Sequence, residues 1–143
     1  MRMVISHNPM IDFLVLVVLM ATSALPNSSL MLPPCPSSPN CVSSQADDKH
    51  YIEPFKVTGD AKVDFEKLRK ILAQRADTTL SSFDGAMIKV EFRTMLGFVD
   101  DGLFVLDTAN SLIQVRSAAR HGYWDFGKNR RRIEEIRHSF LSE

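Results

Sequence analysis

The clearest pattern along the chain is the alternation of apolar and polar residues in its second half. From Met87 to Thr94, three apolar side chains fall on one face and three charged ones on the other, as in a strand with one buried face. The apolar set is Ile88, Val90 and Phe92, and the charged set is Lys89, Glu91 and Arg93. Residues Leu112 to Ala118 alternate in the same way, whereas Leu103 to Leu106 is apolar on both faces. The pattern therefore predicts three strands here.

Two other stretches repeat their apolar residues at the spacing of a helix. Ala61 to Arg75 follows Asp60, a good N-cap, and carries one apolar stripe. Lys128 to Phe140 carries a second stripe. The stripe residues are Phe65, Leu68 and Leu72 with Ile71 beside them, and Ile133, Ile136 and Phe140. We expect a helix in each stretch.

The remaining segments complete a fold prediction. Tyr51 to Val57 is predicted as a first strand at a sheet edge, because Pro54 cannot donate to a ladder. Asp77 to Gly85 is predicted as a polar loop, and Asp100-Asp101-Gly102 as a turn. The order strand, helix, three strands, helix, with short connections between the last three strands, favours an antiparallel meander of about four strands. With both helices packed on its apolar face, the sheet forms a single two-layer α+β domain over residues 51–143.

Residues 1–24 are predicted to direct export. Phe13 to Met20 is an apolar run, and Ala21-Thr22-Ser23-Ala24 supplies the small residues of a signal-peptidase site, so cleavage is expected near Ala24. The run is shorter than the about 20 apolar residues that a spanning helix needs. An uncleaved N-terminal anchor is the alternative, because Asp12 and a thin positive flank make a poor signal. In both cases the protein is expected in the periplasm, the cell envelope or an equivalent lumen.

Residues 25–50 have the composition of a surface linker that is rich in proline and serine. The linker holds both cysteines of the chain, Cys35 and Cys41. Two thiols are too few for a structural zinc site, and their spacing is not that of a Cys-x-x-Cys redox motif, so neither a metal nor another cofactor is predicted. An exported chain with two nearby cysteines most simply forms one disulfide, and the alternative is a pair of free thiols.

The formal net charge of zero gives no global attraction to nucleic acid. The charge is uneven, because the chain from Ser111 onward has 7 Lys/Arg against 4 Asp/Glu.

The sequence contains only weak patterns of catalytic residues. Cys41, His50 and His121 are the residue types of a Cys–His pair, but nothing in their spacing joins them, and the histidines are expected at the surface. Asp100, Asp101 and Asp125 are candidates for an acid/base or metal cluster, with turn formation and capping of the last helix as the structural alternative.

Arginine is the strongest candidate for ligand binding. Arg93 and Arg116 lie on the polar faces of their strands, and Arg120 continues that line. Arg130 begins the last helix together with Arg131 and Arg132, where free backbone N–H groups favour an anion. An aromatic loop just before it, with Tyr123, Trp124 and Phe126, offers an apolar wall. The structural alternative pairs Glu91 with Arg116, Glu134 with Arg130 and Glu135 with Arg131, and uses the aromatic residues to close the core.

Four motifs resemble the family known as domain of unknown function 1499. They are Cys-Pro-x-x-Pro-Asn-Cys-Val-Ser-Ser at Cys35 to Ser44, Glu-Phe-Arg-Thr at Glu91 to Thr94, Gly-Phe-Val-Asp-Asp at Gly97 to Asp101, and Val-Arg-Ser-Ala-x-Arg-x-Gly-Tyr-x-Asp-x-Gly-x-Asn-Arg at Val115 to Arg130. The resemblance implies an exported or membrane-associated domain, often with an N-terminal apolar segment. It implies no catalytic residue.

Taken with the arginines, these observations predict a small exported or membrane-associated domain that binds an anionic small molecule or lipid headgroup. The ligand-binding candidates are Arg93, Arg116, Arg120, Tyr123 and Arg130. Two alternatives from other classes stay open, a carboxylate-dependent hydrolase and a protein-interaction module of the cell envelope. Whether the protein is an enzyme, and its oligomeric state, are not fixed by the sequence.

Overall fold

The computed structural model describes residues 31–143. The predicted export signal or anchor and its cleavage near Ala24 lie outside the described residues. The elements in chain order are β1 (Cys41–Ser43), β2 (Phe55–Lys56), α1 (Ala61–Gln74), β3 (Thr78–Phe83), β4 (Met87–Arg93), β5 (Val99–Asp107), β6 (Leu112–Ala119) and α2 (Lys128–Ser142). The predicted α+β class is confirmed. Neither α1 nor α2 is long and apolar enough to cross a membrane.

The strands form one antiparallel sheet of six strands in the order β1-β6-β5-β4-β3, with β2 also paired to β6. Cys41 lies opposite Ala118 and Phe55 opposite Ile113, so β1 and β2 share one edge of β6. The predicted meander of β4, β5 and β6 is present. The predicted count of about four strands, in the order β-α-β-β-β-α, is wrong in detail because β1 and β3 were not foreseen.

Strand β3 lies where a polar loop was predicted. Its residues are mostly exposed, and it pairs with β4 at the outer edge of the sheet. An edge strand bonds to its neighbour through backbone groups and needs few apolar side chains. The polar composition of Thr78–Phe83 therefore hid a strand from the hydrophobic pattern.

Strand β5 begins earlier than predicted and runs straight through Asp100-Asp101-Gly102, so the predicted turn there is wrong. The chain reverses instead at residues 94–98, where Thr94 N–H donates to the Phe98 carbonyl at 2.8 Å and Gly97 takes φ 84°. Gly102 lies under a ring of β4, since a Cβ at Gly102 would be 2.5 Å from Phe92 Cε2. The glycine marks a close approach of side chains inside a strand.

Both helices pack on one face of the sheet, as predicted. Asp60 caps α1 by accepting hydrogen bonds from the Lys62 and Val63 N–H groups. The predicted stripes of both helices are buried in the core, together with Ile88, Val90 and Phe92 of β4. Phe55 stacks edge-on against Phe104 and Phe140, with ring centroids 5.9 and 5.6 Å away. The other face of the sheet carries the charged residues.

The segment predicted as a surface linker is partly built into the fold. The predicted disulfide is present between Cys35 and Cys41. Cys41–Ser43 forms the edge strand β1, whose residues are buried. His50, expected at the surface, is also buried, with Nδ1 2.8 Å from Asp48 Oδ1 and Nε2 donating to the Ser38 carbonyl at 3.0 Å. Hydrogen bonds from the His50 backbone and ring lower the pKa of Asp48.

Candidate functional site

A cleft of about 300 Å³ opens at one end of the sheet, between two loops that we call the paired loops. One is the β4–β5 turn, residues 94–98, and the other is the β6–α2 connection, residues 120–127. Residues of both loops line the cleft, with Asp100 and Ala119 from the adjoining strands and Lys128 from the start of α2. The antiparallel register brings the loops together, because Arg93 pairs with Val99 and the Arg120 N–H donates to the Val99 carbonyl.

The second loop is held by contacts at both of its ends. Asn40, inside the disulfide loop, donates from Nδ2 to the Gly122 carbonyl at 2.6 Å. Phe126 takes a left-handed backbone with φ 52°, which is uncommon for a large residue. Its carbonyl accepts a hydrogen bond from Arg131 Nη1 at 2.6 Å. The disulfide loop and α2 together therefore fix a strained loop next to the cleft.

The paired loops expose six large apolar side chains. They are Met95, Leu96, Phe98, Tyr123, Trp124 and Phe126. Met95 is 101% exposed, Leu96 84% and Phe126 83%, so these side chains point away from the core. The alternative in which the aromatic residues close the core is therefore wrong. Several large exposed apolar side chains on adjoining loops are uncommon on the surface of a small domain.

The carboxylates at the cleft are already satisfied within the protein. Asp100 Oδ2 accepts from Arg132 Nη1 at 2.9 Å. Asp125 accepts from the Gly127 and Asn129 backbone N–H groups and from Asn129 Nδ2, at 2.9 to 3.0 Å. Asp125 therefore accepts from one free N–H of the first turn of α2, as predicted for a capping residue, although the N-cap position itself is Gly127. Across residues 31–143, Lys128 has no carboxylate partner. Lys128 is therefore a lining cation without an ion pair in this part of the chain, while Asp125 keeps its negative charge.

A buried polar network lies behind the cleft and centres on Arg132. Its guanidinium donates to Asp100 and, at 3.2 Å, to Asn129 Oδ1, while its Nε is 3.7 Å from Asp77 Oδ2. The guanidinium carbon also lies 4.5 Å from the centre of the Phe92 ring. Sequence reasoning placed Arg132 in an anion site at the surface, and the structure corrects this, because the residue is 3% exposed.

The signal for that network was present in the sequence. Residues 129, 132, 133, 136 and 140 recur at three- and four-residue intervals, and all are buried on the inner side of α2. An Asn and an Arg on the same stripe as Ile133 and Ile136 indicate a polar contact with the sheet. The partner of Arg132 on the sheet could not be predicted, since the sequence around Asp100 predicts a turn.

The predicted arginines of the sheet share one face. Lys89, Leu103 and Arg116 are paired across β4, β5 and β6, so the alternation puts Arg93, Arg116 and Arg120 on the side away from the helices. The donors of Arg120 are taken by Glu91 and by both oxygens of Asp101, which raises the pKa of Arg120. The expected Glu91–Arg116 pair is therefore wrong.

Arg116 has a different environment. Its Nη2 donates to the Pro34 carbonyl at 3.3 Å, and its buried Nε has no hydrogen-bond partner within residues 31–143. Desolvation of this half-buried side chain lowers the pKa of Arg116. Anion binding by Arg93 and Arg116 stays a prediction.

At the start of α2, Asp125 accepts a hydrogen bond from the Asn129 N–H, while Arg130 donates to the Lys49 carbonyl and Arg131 to the Phe126 carbonyl. Anion binding by Arg130 stays a prediction. The expected pairs of Glu134 with Arg130 and Glu135 with Arg131 are wrong. Glu134 pairs with Arg137 and Glu135 with Arg75. Tyr123, the fifth predicted ligand residue, is exposed and stacks edge-on against Trp124 at 5.3 Å.

The candidate catalytic groups are brought together only in part, because Asp100, Asp125 and His121 line the cleft while Asp101 and Cys41 do not. Asp100 and Asp101 are neighbours in β5 and face opposite sides of the sheet, where each is paired with a different arginine. Cys41 is bonded in the disulfide, and His121 lies at the cleft, far from the buried His50 in the sequence. Within residues 31–143 no group of three His, Cys, Asp or Glu residues is placed to hold a metal ion. Hydrolysis by the three aspartates stays a prediction.

Comparison with known proteins gives one match. The model of the family described as "Protein of unknown function (DUF1499)" matches residues 31–140. No curated protein and no solved structure matches the chain. The matched region contains the disulfide loop, the paired loops and α2 up to Phe140.

Proposed function

Since this chain belongs to the DUF1499 family of proteins of unknown function, its activity has to be inferred from its own geometry, and we propose that it binds the surface of an anionic lipid bilayer through the paired loops. The single observation that carries this proposal is the set of six exposed apolar side chains on two adjoining loops. Three of the six are Tyr123, Trp124 and Phe126, and the amphipathic rings of tyrosine and tryptophan favour the boundary between lipid and water.

The charge near the loops is of the matching sign. Lys128 lines the cleft, and Arg131 is exposed one turn further along α2. Neither forms an ion pair with a carboxylate in the described part of the chain. A cation near an anionic membrane surface contributes about 1 kcal/mol, and full burial of one large apolar side chain about 1.5–3 kcal/mol. Partial insertion of several such side chains therefore contributes most of the binding free energy. The cations make binding to anionic lipids stronger than binding to neutral lipids.

The chain carries its own probe for this proposal. Trp124 is the single tryptophan and lies on the second of the paired loops. On addition of phosphatidylcholine vesicles containing phosphatidylglycerol, its emission should shift to the blue, and lipids brominated on their acyl chains should quench it. Vesicles of phosphatidylcholine alone should produce a weaker effect.

Matched variants separate the loops from other apolar surface. In Leu96→Gln/Phe126→Gln, vesicle co-sedimentation of the full chain should fall about tenfold, the equivalent of ~1.4 kcal/mol. The control is Val63→Gln/Leu141→Gln, which removes two exposed apolar side chains from the helices and should leave binding unchanged. The proposal is overturned if Trp124 stays unshifted and unquenched while the chain sediments with vesicles. Binding to neither type of vesicle favours the protein-interaction alternative.

A further inference from the structure

The exposed apolar side chains of the paired loops also form the walls of the cleft between them. Its walls are apolar, formed mainly by Leu96, Phe98, Trp124 and Phe126. Its volume of about 300 Å³ is at the low end of the ~300–1,000 Å³ of small-ligand sites. A space of this size suits one slender apolar molecule and not a lipid with two chains.

We propose that the cleft binds a long-chain carboxylate, with the hydrocarbon chain between the loops and the carboxylate at the mouth beside Lys128. The inference rests on the proposed function, because the same loops that meet the bilayer would receive the molecule from it. It adds a ligand class and a second mode of binding, in which one monomeric amphiphile occupies the cleft.

The charges at the cleft decide which end group the ligand carries. Asp100 pairs with Arg132, whereas Asp125 keeps its charge and accepts hydrogen bonds from three neutral N–H groups. Lys128 is available to an anion, and His121 lies beside it on the lining. A carboxylate at the mouth therefore gains a charge-assisted hydrogen bond that an alcohol or an ammonium group does not.

The small side chain of Ala119 leaves the floor of the cleft open. This position gives a direct test, because a larger residue there fills the cleft without changing the exposed side chains. Ala119→Leu should weaken binding of the fluorescent fatty acid cis-parinaric acid at least about fivefold, the low end of the effect of overpacking. The matched control is Ala109→Leu, the same change in the exposed turn between β5 and β6, which should bind like the wild type.

A second variant tests the end group and does not depend on how Ala119→Leu folds. Lys128→Gln should weaken displacement of the probe by a saturated fatty acid about threefold, in the range of an exposed charge contact, and leave displacement by the alcohol of equal chain length unchanged. An alkyltrimethylammonium ion of the same length should displace the probe more weakly than the fatty acid. Its tighter binding would overturn the inference in favour of a cation held by the aromatic walls.

The outcomes distinguish this inference from the proposed function. Loss of fatty-acid binding in Ala119→Leu with vesicle binding retained supports both. Fatty-acid binding without any Trp124 response to vesicles removes the membrane proposal and leaves the ligand site. Equal binding of cis-parinaric acid by Ala119→Leu and Ala109→Leu, with both variants folded by circular dichroism, removes the ligand site.

Discussion

Removal of either partner of the buried ion pair between Asp100 and Arg132 should strongly lower the free energy of unfolding. Both side chains are at most 5% exposed, and the pair joins β5 to α2 across 32 residues of sequence. Breaking a buried pair leaves one charge without its partner, which costs ~3–5 kcal/mol. In Asp100→Asn the cation keeps Asp77 at 3.7 Å as a weaker partner, so we expect a loss near ~3 kcal/mol.

Arg132→Met should cost at least as much. The substitution leaves the Asp100 carboxylate without its cation and also removes the contact with the Phe92 ring, a cation–π interaction of ~0.5–2 kcal/mol. The double variant Asp100→Asn/Arg132→Met lacks both charges. Its loss should be smaller than the sum of the single losses by about 2 kcal/mol, within the range of coupling between residues in contact.

Urea unfolding followed by far-ultraviolet circular dichroism, with the disulfide intact, measures the free energy of unfolding of all four proteins. The matched control is the exposed pair of Glu66 and Arg69 on α1, replaced by Gln and Met. Its coupling should be about 0.5 kcal/mol or less. If the coupling of the buried pair is no larger than that of the control, the pair does not hold α2 to the sheet.

Two further outcomes are expected from the same measurement. Cys35→Ser/Cys41→Ser should lower the free energy of unfolding by ~2 kcal/mol, the loop-closure value for a sequence separation of 6; full alkylation of both thiols in unreduced wild-type protein would contradict the bond. Gly102→Ala should cost ~1–3 kcal/mol because its Cβ would overlap the Phe92 ring, whereas Gly59→Ala, with open space around it, should change stability by less than about 0.5 kcal/mol; equal effects would show that the strand relaxes freely.

The sequence predicted the elements whose identity depends on one buried face. The alternation in β4 and β6 and the stripes of α1 and α2 are set by local periodicity, so the position of each was readable without its partner. Strand β5 was only partly predictable, because two aspartates and a glycine follow its first residue, Val99. Their carboxylates are paired with Arg120 and Arg132, which are 19 and 32 residues away. No local pattern contains that information.

One of the two loops of the candidate site was predictable from the sequence. The aromatic residues Tyr123, Trp124 and Phe126 are close together in the chain and predict an apolar wall. Their counterparts on the first loop, Met95 and Leu96, were not among the predicted site residues. The two loops meet because of the antiparallel register of β4, β5 and β6, which depends on the whole sheet. The cleft therefore depends on the tertiary structure and is not predictable from either loop alone.

The irregular pairing of β3 has a consequence for self-association. Within residues 31–143, strand β3 is the outer edge strand of the sheet, and it carries no charged residue that would repel a neighbouring strand. The register shifts between Leu80 and Ser82, which divides the edge into two short runs. A second strand cannot continue along both runs in one register, so the extra residue protects the sheet from growing into a fibril. We therefore expect the backbone bulge in β3 to oppose pairing with another strand, as lysine or proline does at many sheet edges.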